Sequence, residues 1–198
     1  MYDYIKGTLV SLTPTNAVVE TCGVGYFLNI SLQTFSEIEG ASDVKLFVHQ
    51  YIVQNDAPLF YGFATTAERE MFRLLISVSG IGANTARVML SSFSTAELAV
   101  ALATGNVAAI KSVKGIGVKT AERAIVELKG KVVNFSAEEP TNQQFVPADK
   151  STSISEATEA LLVLGFAKAN VEKVCRAIFS EKPSASSEEI IRTALGRL

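Results

Sequence analysis

The sequence predicts an α+β chain of three parts: a small closed β-barrel, a segment of paired helical hairpins, and a three-helix tail. Three observations carry this expectation. Residues 1–64 hold short β-branched and aromatic runs, several alternating at period two. Residues 65–134 change to helical periodicity and contain one glycine-rich phrase twice. Residues 135–152 are polar and aperiodic with two prolines, which marks a linker before a second helical stretch at 153–198.

In the first part, strands are expected at residues 5–12, 17–21, 26–30 and 44–48, with breaks at Pro14-Thr15-Asn16, Gly23-Val24-Gly25 and Gly40-Ala41-Ser42. A last hairpin runs from Phe47 to Val53, turns at Gln54-Asn55-Asp56 and returns over residues 59–63. Five or six short strands in so small a segment suit an OB-fold-like barrel. The competing reading is a barrel used only for packing or oligomerisation.

In the second part, Thr65-x-x-Glu68 reads as a capping box, and Met71, Phe72, Leu74, Leu75 and Val78 form one apolar face. Ser94-x-x-Glu97 starts another helix, which Gly105 can end. A last helix from about Gly117 is expected to stop at Gly130 in a left-handed cap. In the tail, Ser153-x-x-Glu156 caps a helix carrying Ala157, Ala160, Leu161 and Leu164. A second helix carries Val171, Val174, Cys175 and Ile178. Ser186-x-x-Glu189 opens a third, with Ile190, Ile191, Ala194 and Leu195. The Leu164-Gly165-Phe166 corner resembles that of ubiquitin-associated (UBA-like) three-helix modules, which implies a partner-binding patch there.

The repeated phrase is the most specific motif. Gly80-Ile81-Gly82-Ala83-Asn84-Thr85-Ala86 returns 35 residues later as Gly115-Ile116-Gly117-Val118-Lys119-Thr120-Ala121. A Gly-x-Gly turn feeding a helix leaves backbone amides pointing out of the helix start, which favours an anion. Two copies suggest a tandem helix-hairpin-helix that grips two phosphates of a polymer without reading its sequence. Gly80, Gly82, Gly115 and Gly117 then allow close backbone approach. Thr85 and Thr120 offer hydroxyls, and Lys114, Lys119 and Arg123 supply charge. Asn84 stands where the second copy has Lys119. Small Ala86 and Ala121 let the helices of each hairpin meet. The duller reading is that the glycines only permit tight turns between packed helices.

Composition agrees with the phosphate reading once it is divided. The net charge is −2 overall, but residues 1–64 carry −4, residues 65–134 carry +4 and residues 135–198 carry −2. The positive part is the one with the repeats. Hydrophobic residues make up 48%, enough for real cores, yet no run approaches the ~18 residues of a membrane span. No secretory signal is seen, and Cys22 and Cys175 read as two reduced core thiols, so a cytoplasmic protein is expected.

Rival chemistries find little support. Gly115 to Thr120 ends in Lys-Thr like a Walker A loop, but Val118 stands where glycine is needed and a helical segment precedes it. Gly23-Val24-Gly25 has no following helix, so a dinucleotide site fails. His49 reads as a structural strand residue. No cluster has metal-ligand spacing and no catalytic constellation is evident, so neither metal nor cofactor is expected. Two alternatives stay open at this point: a nuclease or helicase subunit with its own active site, and a protein-interaction scaffold with structural hairpins.

The order of parts, together with Gly23-Val24-Gly25-Tyr26, Leu59-Phe60-Tyr61-Gly62-Phe63 and both Gly-Ile-Gly turns, resembles the RuvA family. These are the Holliday-junction-binding subunits of the bacterial branch-migration complex. The resemblance implies a homotetramer or octamer with a basic face for a four-way DNA junction. It implies a tail that docks the ATP-driven motor RuvB, and the RuvC resolvase as a further partner. It also implies an acidic pin at the strand hairpin, which here retains only Asp56 of a usual acidic pair. Where the family often has lysine, this chain has Asn84.

Overall fold

The computed structural model describes residues 2–52, 57–132, 135, 150–163, 166–182 and 185–197. Strands β1 (Tyr4–Thr13), β2 (Asn16–Thr21), β3 (Val24–Asn29), β4 (Asp43–Tyr51) and β5 (Leu59–Phe63) close into a barrel in the order β1-β2-β3-β5-β4. β1 pairs antiparallel with both β2 and β4. A short parallel contact between β3 and β5, at Asn29 and Tyr61, completes the closure. Alternation sets the faces: Val44, Leu46 and Val48 of β4 point inward and pack with Ile5, Ala17, Val19, Leu28 and Ile30. This is the OB-fold-like architecture that the strand pattern implied.

Two details of the barrel differ from expectation. Thr21 pairs with Val24, so the second turn is only Cys22-Gly23, and Gly25 belongs to β3. Both turn residues have positive φ, 50° and 77°, as a two-residue hairpin with right-twisted strands requires. Cys22 is therefore an exposed turn residue, not a core thiol, while Cys175 is buried and both are free. The second difference is helix α1 (Leu32–Ile38), inserted between β3 and β4 in a stretch that gave no strand signal. Ser31 caps it by accepting from the Thr34 amide at 3.0 Å. The expected β4–β5 hairpin forms, with Tyr51 opposite Leu59. Its tip, including Asp56, lies outside the described residues.

Helices α2 (Thr66–Ile76), α3 (Ala83–Ser92), α4 (Thr95–Thr104), α5 (Val107–Lys111) and α6 (Val118–Leu128) pack around a second core. This core is continuous with the barrel through β5. Tyr61 and Phe63 leave the barrel wall and stack near Phe72 of α2, each at 5.0 Å between ring centroids. His49 joins the same aromatic group, 5.5 Å from Phe72, and burial lowers its pKa. Ser94 and Glu97 form the full capping box at α4, and Gly105 ends that helix with φ 75°. Gly130 does not adopt positive φ. The chain instead continues in a tight turn, with the Lys131 amide donating to Leu128 at 2.8 Å, and delivers Val132 into the core.

Thr65 caps α2, but Glu68 does not return the bond to the cap. Its buried carboxylate instead accepts from Ser31 and from Thr34, the latter at 2.6 Å. Thr34 in turn accepts from the Ala64 amide at 3.1 Å. A neighbouring tie links Arg69 to Asp3 at 2.5 Å, which holds the Asp3 carboxyl below its usual range. The helical core is thus fastened to the barrel by polar contacts as well as by the shared strand.

The chain divides into two compact units, Met1–Pro140 and Thr141–Leu198. The second holds α7 (Lys150–Val163), α8 (Lys168–Glu181) and α9 (Ser187–Leu195), packed around Ala157, Leu161, Val171, Cys175, Ile178, Ile190 and Ala194. Ser186 and Glu189 form the expected capping box. Ser153 does not cap α7, because the helix already begins at Lys150. Most of the expected linker, residues 136–149, lies outside the described residues.

Burial pushes the Glu68 carboxyl up despite the two hydroxyls that donate to it. Removing its second oxygen as an acceptor in Glu68→Gln leaves a buried hydroxyl short of a partner and should cost about 1–3 kcal/mol at neutral pH. A raised folded-state pKa means that the native protein holds this proton longer than the unfolded chain. The margin of the wild type over Glu68→Gln should therefore be largest below the ordinary glutamate range and shrink as pH rises through the raised value. Denaturant titrations of both proteins across that range check the sign. A margin that grows with pH would show that Glu68 folds as a stabilised anion.

Candidate nucleic-acid interface

The two glycine-rich turns fold alike, bond for bond. In the first, the Ile81 amide donates to Val78 at 3.0 Å. In the second, the Ile116 amide donates to Val113 at 3.1 Å. Gly80 and Gly115 sit third in these four-residue turns, each with φ 95°, a conformation that only glycine adopts without strain. Ile81 and Ile116 are buried and anchor the turns to the core. Gly82 and Gly117 then cap α3 and α6 in extended backbone, with φ −83° and −84°. The positive φ thus belongs to the first glycine of each phrase.

The second glycine answers a different need. A Cβ built at Gly82 or Gly117 meets nothing within 4 Å, so neither protein packing nor backbone strain demands glycine there. Neither cap offers a side-chain acceptor. The first helical bonds are Ala86 to Gly82 at 2.9 Å and Ala121 to Gly117 at 3.0 Å. Helix geometry therefore leaves the amides of residues 83–85 and 118–120 without an intrahelical acceptor. Open space in front of them suits a ligand that approaches the backbone closely. Ala86 and Ala121 are fully buried where the helices of each hairpin meet.

The two turns also lie beside each other. Thr120 is the nearest group to a Cβ built on Gly80, with its Oγ1 at 3.6 Å. Arg123 donates to the Ser79 carbonyl at 3.4 Å, bridging from α6 to the first turn. The structure therefore brings together Gly80, Gly82, Asn84, Thr85, Gly115, Gly117, Lys119, Thr120 and Arg123, with Lys114 as the second residue of the second turn. Lys114, Lys119 and Arg123 are exposed, and among the described residues no carboxylate forms an ion pair with them. Thr85 and Thr120 are half-buried.

Sequence reasoning missed Arg87. Its guanidinium donates to Asn84 Oδ1 at 2.9 Å and to the Thr15 carbonyl of the barrel at 3.0 Å. The available signal was its i, i+3 spacing from Asn84, which puts both on one helix face. A short helix, α5, precedes the second turn, so the Lys119-Thr120 pair does not follow a strand as a nucleotide-binding loop would. Among the described residues, no group of three or more His, Cys, Asp or Glu is placed to hold a metal. No single helix among the described residues is long and apolar enough to cross a membrane. Of the expected partner-binding corner, Leu164 and Gly165 lie outside the described residues. Phe166 is half-buried against the tail core.

These geometries separate the two glycines of each phrase. Gly115→Ala should destabilise the fold by about 1–2 kcal/mol, because it forces a side chain into left-handed backbone. Gly117→Ala should cost less, under about 1 kcal/mol, because its backbone is ordinary and its Cβ is free, leaving only the poorer helix-capping of alanine. Equal losses in denaturant titration would mean that the second glycine is also structural.

Comparison with known proteins agrees with this architecture. Residues 1–62 match the RuvA N terminal domain, residues 72–130 the SAM-like helix-hairpin-helix tandem, and residues 152–198 the RuvA C-terminal domain. The chain is 46% identical over 202 residues to a Bacteroides fragilis protein named Holliday junction branch migration complex subunit RuvA, covering both chains fully. Proteins of the same name from Porphyromonas gingivalis and Christiangramia forsetii are each 44% identical, again over the full length of both chains. Two RuvA domain matches flanking the paired hairpins, and full-length similarity to three such relatives, show that the chain belongs to the RuvA family.

Proposed function

We propose that this chain binds four-way (Holliday) DNA junctions by their phosphate backbones and serves as adaptor for a separate ATP-driven branch-migration motor, RuvB. It acts in recombination and DNA repair in the cytoplasm, as a homotetramer and without catalysis of its own. RuvC resolvase is a further partner in the same process. The observation that carries the reading is the side-by-side placement of two glycine-capped helix starts. One such start can hold one phosphate. Two held at fixed separation can hold two phosphates of one strand, whatever its bases. The surplus of positive charge in residues 65–134 adds the sequence-independent attraction that DNA binding needs. That the relatives are named as subunits of a branch migration complex supports a partner that supplies the motion. The compact second unit is the natural place for that partner to dock.

Binding of labelled four-way and linear DNA, measured at several salt concentrations, tests the first half. The four-way form should bind more tightly, and both affinities should fall steeply with salt. Removing residues 153–198 should leave junction affinity nearly intact and abolish stimulation of the motor ATPase. Equal affinity for the two DNA forms would remove the junction reading. Loss of junction affinity on truncation would remove the division of labour between the units.

A further inference from the structure

The two hairpins differ in where their charge sits. Aligned on their glycines, the first reads Gly82-Ala-Asn84-Thr-Ala-Arg87-Val88 and the second Gly117-Val-Lys119-Thr-Ala-Glu122-Arg123. The second copy has its cation at the second helical position. The first has neutral Asn84 there and a cation one turn further in, where the second copy has an acid. Both windows still carry a net charge of +1.

The structure shows how the displaced charge returns to the helix start. Side chains on a helix lean toward its N-terminus, and residues three apart share a face. Arg87 follows this rule, so its guanidinium lies 2.9 Å from the Asn84 carboxamide oxygen. The other terminal nitrogen is fixed by the Thr15 carbonyl at 3.0 Å. Both acceptors are neutral, so the positive charge is oriented without being cancelled. Among the described residues no carboxylate forms an ion pair with Arg87. A guanidinium has five N–H donors, of which these contacts use two. The remainder can donate to a phosphodiester oxygen drawn to the same helix start, since guanidinium and backbone N–H groups together make the donor set that such an oxygen accepts.

We infer that Arg87, oriented by Asn84 and the Thr15 carbonyl, is the cationic phosphate contact of the first hairpin, taking the part that Lys119 plays in the second. The inference rests on the backbone-gripping reading above. Its consequence is that the barrel takes part in the site, because the β1–β2 turn holds the guanidinium in place.

The test measures the slope of log affinity against log salt for four-way DNA with the full chain. Arg87→Gln should lower the slope by about 0.9 for each bound subunit. Adding Asn84→Lys to that variant should restore it, since the lysine returns the charge to the position used by the second hairpin. Lys119→Ala runs alongside. If Lys119→Ala lowers the slope and Arg87→Gln does not, the Arg87 contact is overturned and backbone gripping stands. If neither moves it, the backbone-gripping reading itself fails. If Arg87→Gln lowers it but Asn84→Lys gives nothing back, Arg87 acts only as a tie to the barrel, and the inference is overturned. Should Arg87→Gln not fold, phenylglyoxal labelling of the unsubstituted protein decides. Four-way DNA should protect Arg87 while leaving exposed Arg176 reactive, and equal labelling of Arg87 with and without DNA would overturn the contact.

Discussion

The site depends on helix starts that the chain leaves uncapped. Elsewhere in the first unit the described helices start on a side-chain cap: Ser31 at α1, Thr65 at α2, Asn106 at α5, and a full capping box at α4. Only at α3 and α6, among the described helices of the first unit, does glycine take the cap and leave the first-turn amides without an acceptor. A glycine cap costs only a few tenths of a kcal/mol relative to serine or aspartate, because exposed amides stay hydrated. What it changes is the surface. A serine or aspartate would occupy the amides with its own oxygen, and aspartate would add a charge that repels phosphate. The uncapped start keeps the helix dipole and the N–H groups available to an outside anion.

Several contacts in the first unit hold these two starts in place. Buried Ile81 and Ile116 fix the turns, and buried Ala86 and Ala121 let the helices close on each other. The helical core is built directly onto the last barrel strand through Tyr61, Phe63 and Phe72. Glu68 and Arg69 add polar ties to α1 and to Asp3. Arg87 extends this fixation to the site itself, because one guanidinium touches both the barrel and the first residues of α3. The barrel is therefore a platform that sets where the hairpins stand.

Much of this was legible because the relevant signals are local. The phrase Gly-Ile-Gly determines a turn and a helix start over a few residues, so both copies could be read and aligned. The capping boxes at Ser94 and Ser186 are equally local. What escaped depends on contacts far along the chain. Glu68 looked like the partner of its own cap, yet Ser31 and Thr34 across the joint claim its carboxylate. Gly130 looked like a helix stop with left-handed backbone, yet Val132 must reach the core and the turn is made otherwise. Helix α1 is two turns long, too short for its period to stand out among strands, although Phe35 and Ile38 pack on the barrel core. Cys22 looked like a core residue by type and proved to be half of a tight turn.

The most direct test watches the amides themselves. In a backbone-assigned 15N–1H spectrum of the full chain, four-way DNA is added and the shift of each amide is followed. The largest changes should fall at residues 83–85 and 118–120, with the capped first turn of α9, residues 187–189, scarcely affected. Changes concentrated elsewhere, with these six amides unmoved at saturation, would contradict the claim that the uncapped helix starts hold the phosphates.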